Sequence, residues 1–236
     1  MKKYRLTEET TKVGNRTLYR IQALRDFGNV KEGDIGGYIE AEKNLIQDGN
    51  AWVSDDARVS GDARVSGNAW VSDDARVSGD AWVYGDAWVY GNARVSGNAR
   101  VSGNAWVYGN AWVSDDARVS GDARVSGDAR VSGDAWVYGN AWVSGNARVS
   151  GNARVSGDAD IKTAGDICSM SGFGSEYRTT TAFRTKNGDV HVSCGCFFGS
   201  LEEFCQRVES THRNNLYGRE YKKMIEMLNI HFEVEP

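Results

Sequence analysis

Between Ala51 and Asp158 the chain alternates apolar and polar positions in one unbroken pattern, A-[RW]-V-[SY]-[GD]-[DN]. Ala recurs at 51, 57, 63 and onward, and Val at 53, 59, 65 and onward. The run covers 108 residues, or 18 consecutive hexads, with no insertion or deletion. Period-two alternation places Ala and Val on one side of a short strand, with Arg or Trp and Ser or Tyr on the other. The [GD]-[DN] pair then interrupts the strand, because Gly, Asn and Asp tolerate the unusual backbone that a corner requires. Each hexad therefore predicts one short strand and one corner. A single hexad cannot bury its two small apolar residues. Stacked coils can, with backbone hydrogen bonds joining successive coils at about 4.8 Å.

The Trp positions indicate how many hexads close one coil. With three hexads per coil, one column reads Trp52, Trp70, Trp88, Trp106, Arg124, Trp142. The second reads Arg58, Arg76, Arg94, Trp112, Arg130, Arg148, and the third Arg64, Trp82, Arg100, Arg118, Trp136, Arg154. Five of the eight Trp fall in one column, whereas two hexads per coil would divide them four and four. The segregation predicts a three-walled coil, and six regular coils give a prism about 29 Å tall.

The repeat V-[SY]-[GD]-[DN]-A-[RW] resembles the hexapeptide repeat of left-handed parallel β-helices, in which an aliphatic residue is followed four positions later by a small one. The resemblance implies an all-β solenoid, a left-handed parallel β-helix, which we expect over residues 33–173. That fold hosts acyltransferases, scaffolds and binding proteins alike, so it specifies architecture far better than activity. The register continues imperfectly at both ends. Leu45 and Ile39 fill Ala slots, Ala41 and Ile35 fill Val slots, and Gln47 breaks the pattern; further on, Ile161, Ile167 and Phe173 fill Val slots. About one degenerate coil is expected on each side, because terminal repeats must close the core and blunt the exposed edge.

Residues 1–32 are expected to form an N-terminal β cap, with TLYRIQAL (17–24) as a strand. Gly36-Gly37 before Tyr38 reads as a tight turn into the first coil. Residues 174–236 predict a small α+β module of ββαα order. TTTAFRTK (179–186) and VHVSCGCF (190–197) flank Asn187-Gly188 as a β-hairpin. Ser200-Leu201-Glu202-Glu203 is a capping box that starts a helix running to about Thr211. After a break at Arg213-Asn214-Asn215, a second helix is expected from Tyr217 to Leu228, with Met224, Ile225 and Leu228 on its apolar side. The combination of GDIGGYIEAEKNL, the NARV/DAWV array and VSCGCFFGSLEEF resembles a group of proteins encoded by bacteriophages and prophages of low-GC Gram-positive bacteria. This resemblance implies a viral or prophage origin and a bacterial cytoplasm, and supplies no catalytic residues.

Composition narrows the classes further. The 236 residues are 40% apolar and 25% charged, with net charge −4. The acidic balance argues against general electrostatic affinity for nucleic acid or anionic lipid. No apolar run approaches the roughly 18 residues of a membrane span. The start MKKYRLTEETTK lacks the apolar stretch of a secretory signal, so a cytoplasmic location is expected. Cys168, Cys194, Cys196 and Cys205 then read as reduced thiols rather than a disulfide framework.

Acyl transfer needs a general base, most often His. His191, His212 and His231 all lie outside the array, and the array extrudes no loop. A metal site could draw on His191, Cys194, Cys196, Cys205 and His212, but their spacing matches no standard zinc pattern. Strand parity puts Val190, Val192, Cys194 and Cys196 on one face with His191 on the other, which buried thiols explain more simply. No metal and no cofactor is therefore called for. Ice binding is disfavoured because the array lacks Thr. DNA mimicry needs dense unpaired negative charge, whereas the array holds 13 Asp against 10 Arg, which suggests ladders of salt bridges between coils.

The Trp-rich column carries the most information. Trp52, Trp70, Trp88, Trp106 and Trp142 are expected to point outward, with Tyr90 and Tyr108 beside them and Arg124 interrupting the column. One reading is ring stacking that shields the narrow Ala/Val core and stabilises the prism. A contiguous exposed aromatic strip also marks contact with another chain. The leading reading is a non-enzymatic phage-type scaffold or binding protein. Its partner would be a further copy, as dimer or trimer, or a host bacterial protein such as a defence protein that it inhibits. The alternatives are a hexapeptide-repeat acyltransferase with its site at a subunit boundary, and a DNA mimic.

Overall fold

The computed structural model describes residues 2–234; Pro236, the single proline of the chain, lies outside them. Strand β1 (Tyr4–Val13) turns at Gly14 into β2 (Arg16–Ala23), which pairs antiparallel with β3 (Ile35–Ile39). β3 then pairs in parallel with the strand Arg58–Val59, so the N-terminal sheet extends one wall of the solenoid beyond its first coils.

The solenoid runs through two-residue strands from Trp52–Val53 to Asp160–Ile161. Each strand pairs in parallel with the strand three hexads further on: Trp52 with Trp70, Arg58 with Arg76, Arg64 with Trp82. Three walls result, and the wall that carries Trp52 has seven strands, or about seven turns. The ladder repeats with little variation, as where Trp70 N–H donates to Ala87 O at 2.9 Å and Ser72 N–H to Val89 O at 3.0 Å. Every Ala and Val of the hexads points to the axis and is buried. The three-hexad coil, the parallel sheets and the inward methyl groups therefore match the sequence expectation.

The corners explain the alternation of Gly and Asp. Gly85 adopts φ +72°, and a Cβ placed there would lie 3.0 Å from the backbone nitrogen of Gly103 in the next coil. Asp55, Asp73 and Asp115 adopt the same left-handed backbone, with φ of 54°, 56° and 59°. Each gains a compensating bond one coil on, and the Asp55 carboxylate accepts from Asp73 N–H at 3.3 Å. The Asp73 carboxylate accepts from Gly91 N–H at 2.9 Å, and that of Asp115 from Gly133 N–H at 3.1 Å.

Both ends depart from the simple register. Ile39 pairs with Val59 and Leu45 with Val65, so these residues occupy Val slots rather than the Ala slots expected for them. The segment between Leu45 and Ala51 is therefore two residues longer than a regular corner. Gln47 sits in it, and its Oε1 accepts from Lys3 N–H at 2.7 Å. Gly36 and Gly37 do not form a turn. They lie buried inside β3, where a Cβ on Gly36 would meet Val53 O at 2.5 Å and one on Gly37 would meet Ala57 O at 2.6 Å. Close backbone approach, not chain reversal, is the reason for glycine there.

At the other end the coil register stops at Ile161, which pairs with Val143. Ile167 and Phe173 belong instead to a strand, Ile167–Phe173, that pairs antiparallel with Arg178–Arg184. The expected hairpin, Arg178–Arg184 with Val190–Cys194, is thus the centre of a four-stranded antiparallel sheet completed by Ile167–Phe173 and Phe197–Ser200. Phe183 closes the bottom of the solenoid core, and Lys186 N–H donates to Asp158 O at 3.0 Å. Helices α1 (Leu201–His212) and α2 (Leu216–His231) follow. The capping box forms as expected: Ser200 Oγ accepts from Glu203 N–H at 3.1 Å, and Glu203 Oε2 accepts from Ser200 N–H at 2.8 Å. Phe204, Val208, Met224, Ile225 and Leu228 pack with Ala182 and Val192 into a second core. Among the described residues, no helix is long and apolar enough to cross a membrane.

Candidate functional site: the aromatic walls

Parallel pairing at an 18-residue period stacks like upon like. Trp70 and Trp88 have ring centroids 6.2 Å apart at 24°, and Trp88 and Trp106 6.1 Å apart at 29°. Tyr90 and Tyr108 stack beside them at 5.0 Å and 2°, and the Tyr90 ring meets Trp106 edge-on at 6.4 Å. Burial, and then the neighbouring Tyr108, raise the Tyr90 phenol pKa above its ordinary value. The Arg124 guanidinium closes the stack 5.2 Å from the Trp106 ring. Trp142 stands on the far side of Arg124, half-buried, with its indole N–H donating to Ser126 Oγ at 3.1 Å. Trp70, Trp88, Trp106, Tyr90, Tyr108 and Arg124 are therefore one contiguous group.

Trp52 is not part of the outer face. It is only 2% exposed, because the N-terminal segment folds over it. Phe27 meets its ring edge-on at 5.4 Å and Tyr4 at 6.5 Å. Beside this cluster, Lys3 Nζ is buried and donates to Ala51 O at 2.9 Å. Burial, reinforced by the charge of Arg25, lowers the Lys3 pKa to about 8. The first Trp of the column is thus consumed in attaching the cap to the solenoid.

The other two walls hold functional candidates that the column argument passed over. Trp82 is as exposed as Trp88, and it lies between Arg64 and Arg100, whose guanidinium carbons are 5.6 and 5.7 Å from its ring. Trp136 lies likewise between Arg118 at 4.8 Å and Arg154 at 5.3 Å, and Trp112 carries Arg130 at 5.7 Å. The order Arg64, Trp82, Arg100, Arg118, Trp136, Arg154 in the third column already contains both sandwiches. This wall opens onto a cleft of about 720 Å³ that is lined by Trp136, Arg154, Tyr177 and Arg178.

The expected salt-bridge ladders do not form. Among the described residues, no Arg of the array pairs with an Asp of the array. Arg projects from mid-wall, and the planar heads of Arg64, Arg100, Arg118, Arg124, Arg130 and Arg154 lie over neighbouring indoles, a favourable contact for guanidinium. Asp projects from the corners and accepts from amides one coil away: Asn68 Nδ2 donates to Asp86 at 2.9 Å, and Asn98 Nδ2 to Asp116 at 3.0 Å. Amide-to-carboxylate bonds thus link coils at the corners, and ring stacking and cation–π contacts add to the backbone ladder on the walls.

The groups able to do acid–base or thiol chemistry lie in the C-terminal module. His191 packs against Phe198, His212 against Tyr221 and His231 against Phe232, at 5.5, 5.5 and 4.6 Å. Cys194 Sγ accepts from Thr180 Oγ1 at 3.2 Å, and burial pushes the nearby Tyr221 phenol up to about 12. Cys196 and Cys205 are exposed rather than buried, because they fall at a turn and on the outer side of α1. Among the described residues, no group of three His, Cys, Asp or Glu side chains is placed to hold a metal ion.

The model of the YdcK beta solenoid repeat matches the array in successive windows, from residues 57–73 through 129–145 and again at 147–159. Over these windows the hexad array is similar to that β-solenoid repeat. A protein of Escherichia coli (strain K12), "Uncharacterized acetyltransferase YdcK", is 40% identical over 63 residues, 23% of this chain and 19% of the relative. The chain spans about a fifth of that relative's length.

Proposed function

We propose that this chain is a non-enzymatic binding protein whose rigid column presents aromatic and guanidinium ladders to a macromolecular partner. The observation that carries this reading is the exposure of ring after ring on all three walls: Trp88 and Trp106 on the first, Trp112 on the second, Trp82 and Trp136 on the third. Trp and Arg are the side chains most enriched where proteins meet, and contiguous exposed aromatic strips are uncommon on monomers. In its narrower form the partner is a bacterial defence protein, a reading that rests on the resemblance to phage- and prophage-encoded proteins. The test is capture of a partner from a bacterial host by the wild-type chain, Trp88→Ser/Trp106→Ser and Trp82→Ser/Trp136→Ser, each first shown to be folded. Capture that is equal for all three sinks the reading.

A second reading, acyl transfer, is favoured by the name of the Escherichia coli relative. Against it, the matched repeats hold no His, and each His of this chain packs on an aromatic ring of the C-terminal module. Calorimetry with several acyl-CoAs separates the two readings. Saturable heat supports the transferase, and none leaves the binding protein. A DNA mimic receives less support, because the corner carboxylates are interspersed with amides and guanidinium groups stand between them on the walls.

A further inference from the structure

Away from the solenoid, α2 keeps one side bare. Tyr221, Met224, Ile225 and Leu228 are buried in the second core. On the opposite side Leu216, Met227 and Ile230 are 58%, 60% and 78% exposed. At the helical repeat of about 100° per residue, Leu216, Lys223, Met227 and Ile230 fall within roughly 60° of one another. They form a stripe about 21 Å long. Arg219 and Glu226 flank one edge of it, and Glu226 holds Lys223 Nζ at 2.7 Å. The stripe borders an apolar groove of about 410 Å³ between α2 and the side chains of Met170 and Phe173.

We propose that this face pairs with the same face of a second copy of the chain, α2 against α2, antiparallel about a two-fold axis at Lys223. The stripe is self-complementary under that operation. Inverting the helix about Lys223 lays Leu216 on Ile230 of the partner subunit and sets Arg219 beside Glu226 of the partner subunit. Symmetry supplies each contact twice. A parallel two-fold would carry Glu226 of the partner subunit to the opposite edge, about 10 Å along the axis from Arg219, and the pair would be lost. At the axis the two Lys223 ammonium groups meet already neutralised by Glu226 of their own helix. The complementarity of Arg219 and Glu226 therefore fits a second copy laid antiparallel. This contact lies at the C-terminal end, leaves the three walls open and does not depend on what they bind.

Sedimentation equilibrium of the full chain, over roughly 1–100 µM, tests it. The expected result is a dimer whose dissociation constant rises at least about tenfold in Ile230→Asp and in Arg219→Glu, with unchanged circular dichroism. Arg219→Glu/Glu226→Arg should restore the dimer, and Trp88→Ser should leave it unaffected. A monomer at every concentration overturns the proposal, as does an oligomer indifferent to both single variants. Failure of the double variant to recover overturns the antiparallel pairing.

Discussion

Trp88 and Trp106 stand one coil apart with their ring centroids 6.1 Å apart and their planes 29° from parallel. The backbone imposes this, since the two residues are direct partners across a parallel ladder. Each ring covers a face of the next, so the wall shows solvent the edges of its indoles rather than their faces. A flat ligand cannot stack between rings already stacked on each other. Under the proposed binding role, a partner would meet a ridge of ring edges with phenol and guanidinium groups beside it.

Trp52 and Trp88 share a column but not an environment, and their removal should differ in cost. Trp52→Ala opens a cavity beneath Tyr4 and Phe27 and is expected to cost about 3–5 kcal/mol. Trp88→Ala loses ring stacking at a solvated face and is expected to cost about 0.5–1.5 kcal/mol. Denaturant unfolding of both variants measures the difference; equal losses would contradict the burial of Trp52.

Gly85→Ala and Gly188→Ala separate backbone strain from collision. Both glycines have positive φ, but a Cβ at Gly188 meets nothing within 4 Å. Each substitution carries the left-handed penalty of about 1–2 kcal/mol. Gly85→Ala adds a clash with Gly103 of the next coil, so its unfolding midpoint should fall clearly further.

The N-terminal cap should make stability depend on pH in the alkaline range. Lys3 titrates near 8 when folded and about 10.4 when unfolded. Below pH 8 both states hold the proton, and the cost of burying the charge is constant. Between about pH 8 and 10.4 the unfolded state binds more protons, so stability rises with pH. Burial, and then Glu42, raise the Tyr4 phenol pKa, so above about pH 10 only the unfolded state loses that proton and stability falls. Urea midpoints against pH should therefore peak near pH 10, and Lys3→Met should remove the rising limb.

Ser200→Ala removes the cap of α1 and is expected to cost about 1 kcal/mol. Hydrogen exchange should show the loss in α1, with the solenoid amides unchanged. Uniform loss along the whole chain would mean that the two cores unfold as one unit.

The capping box, the Asn-Gly hairpin and the hexad register were legible because each depends on neighbours within a few residues. The pairing of Arg with Trp was legible only in part. Column order brings Arg64, Trp82 and Arg100 together, but the notion of opposite charges pairing obscured the contact that the planar guanidinium makes. The offset of Ile39 and Leu45 was hidden, because both apolar slots of a hexad accept an aliphatic residue and only the pairing with Val59 and Val65 tells them apart.

The sequence alone determined the coil length, the number of walls and the inward direction of every Ala and Val. The inward direction follows from strict alternation repeated without slippage, and the coil length and number of walls from the gathering of five of the eight Trp into one column at an 18-residue spacing. Tertiary structure alone decided that Trp52 is covered while Trp88 is bare, that Phe183 closes the last coil, and that α2 leaves Ile230 in solvent. Those outcomes turn on which non-repeating segment folds across which end of the column. Segments far apart in the chain meet there, and no local pattern encodes the meeting.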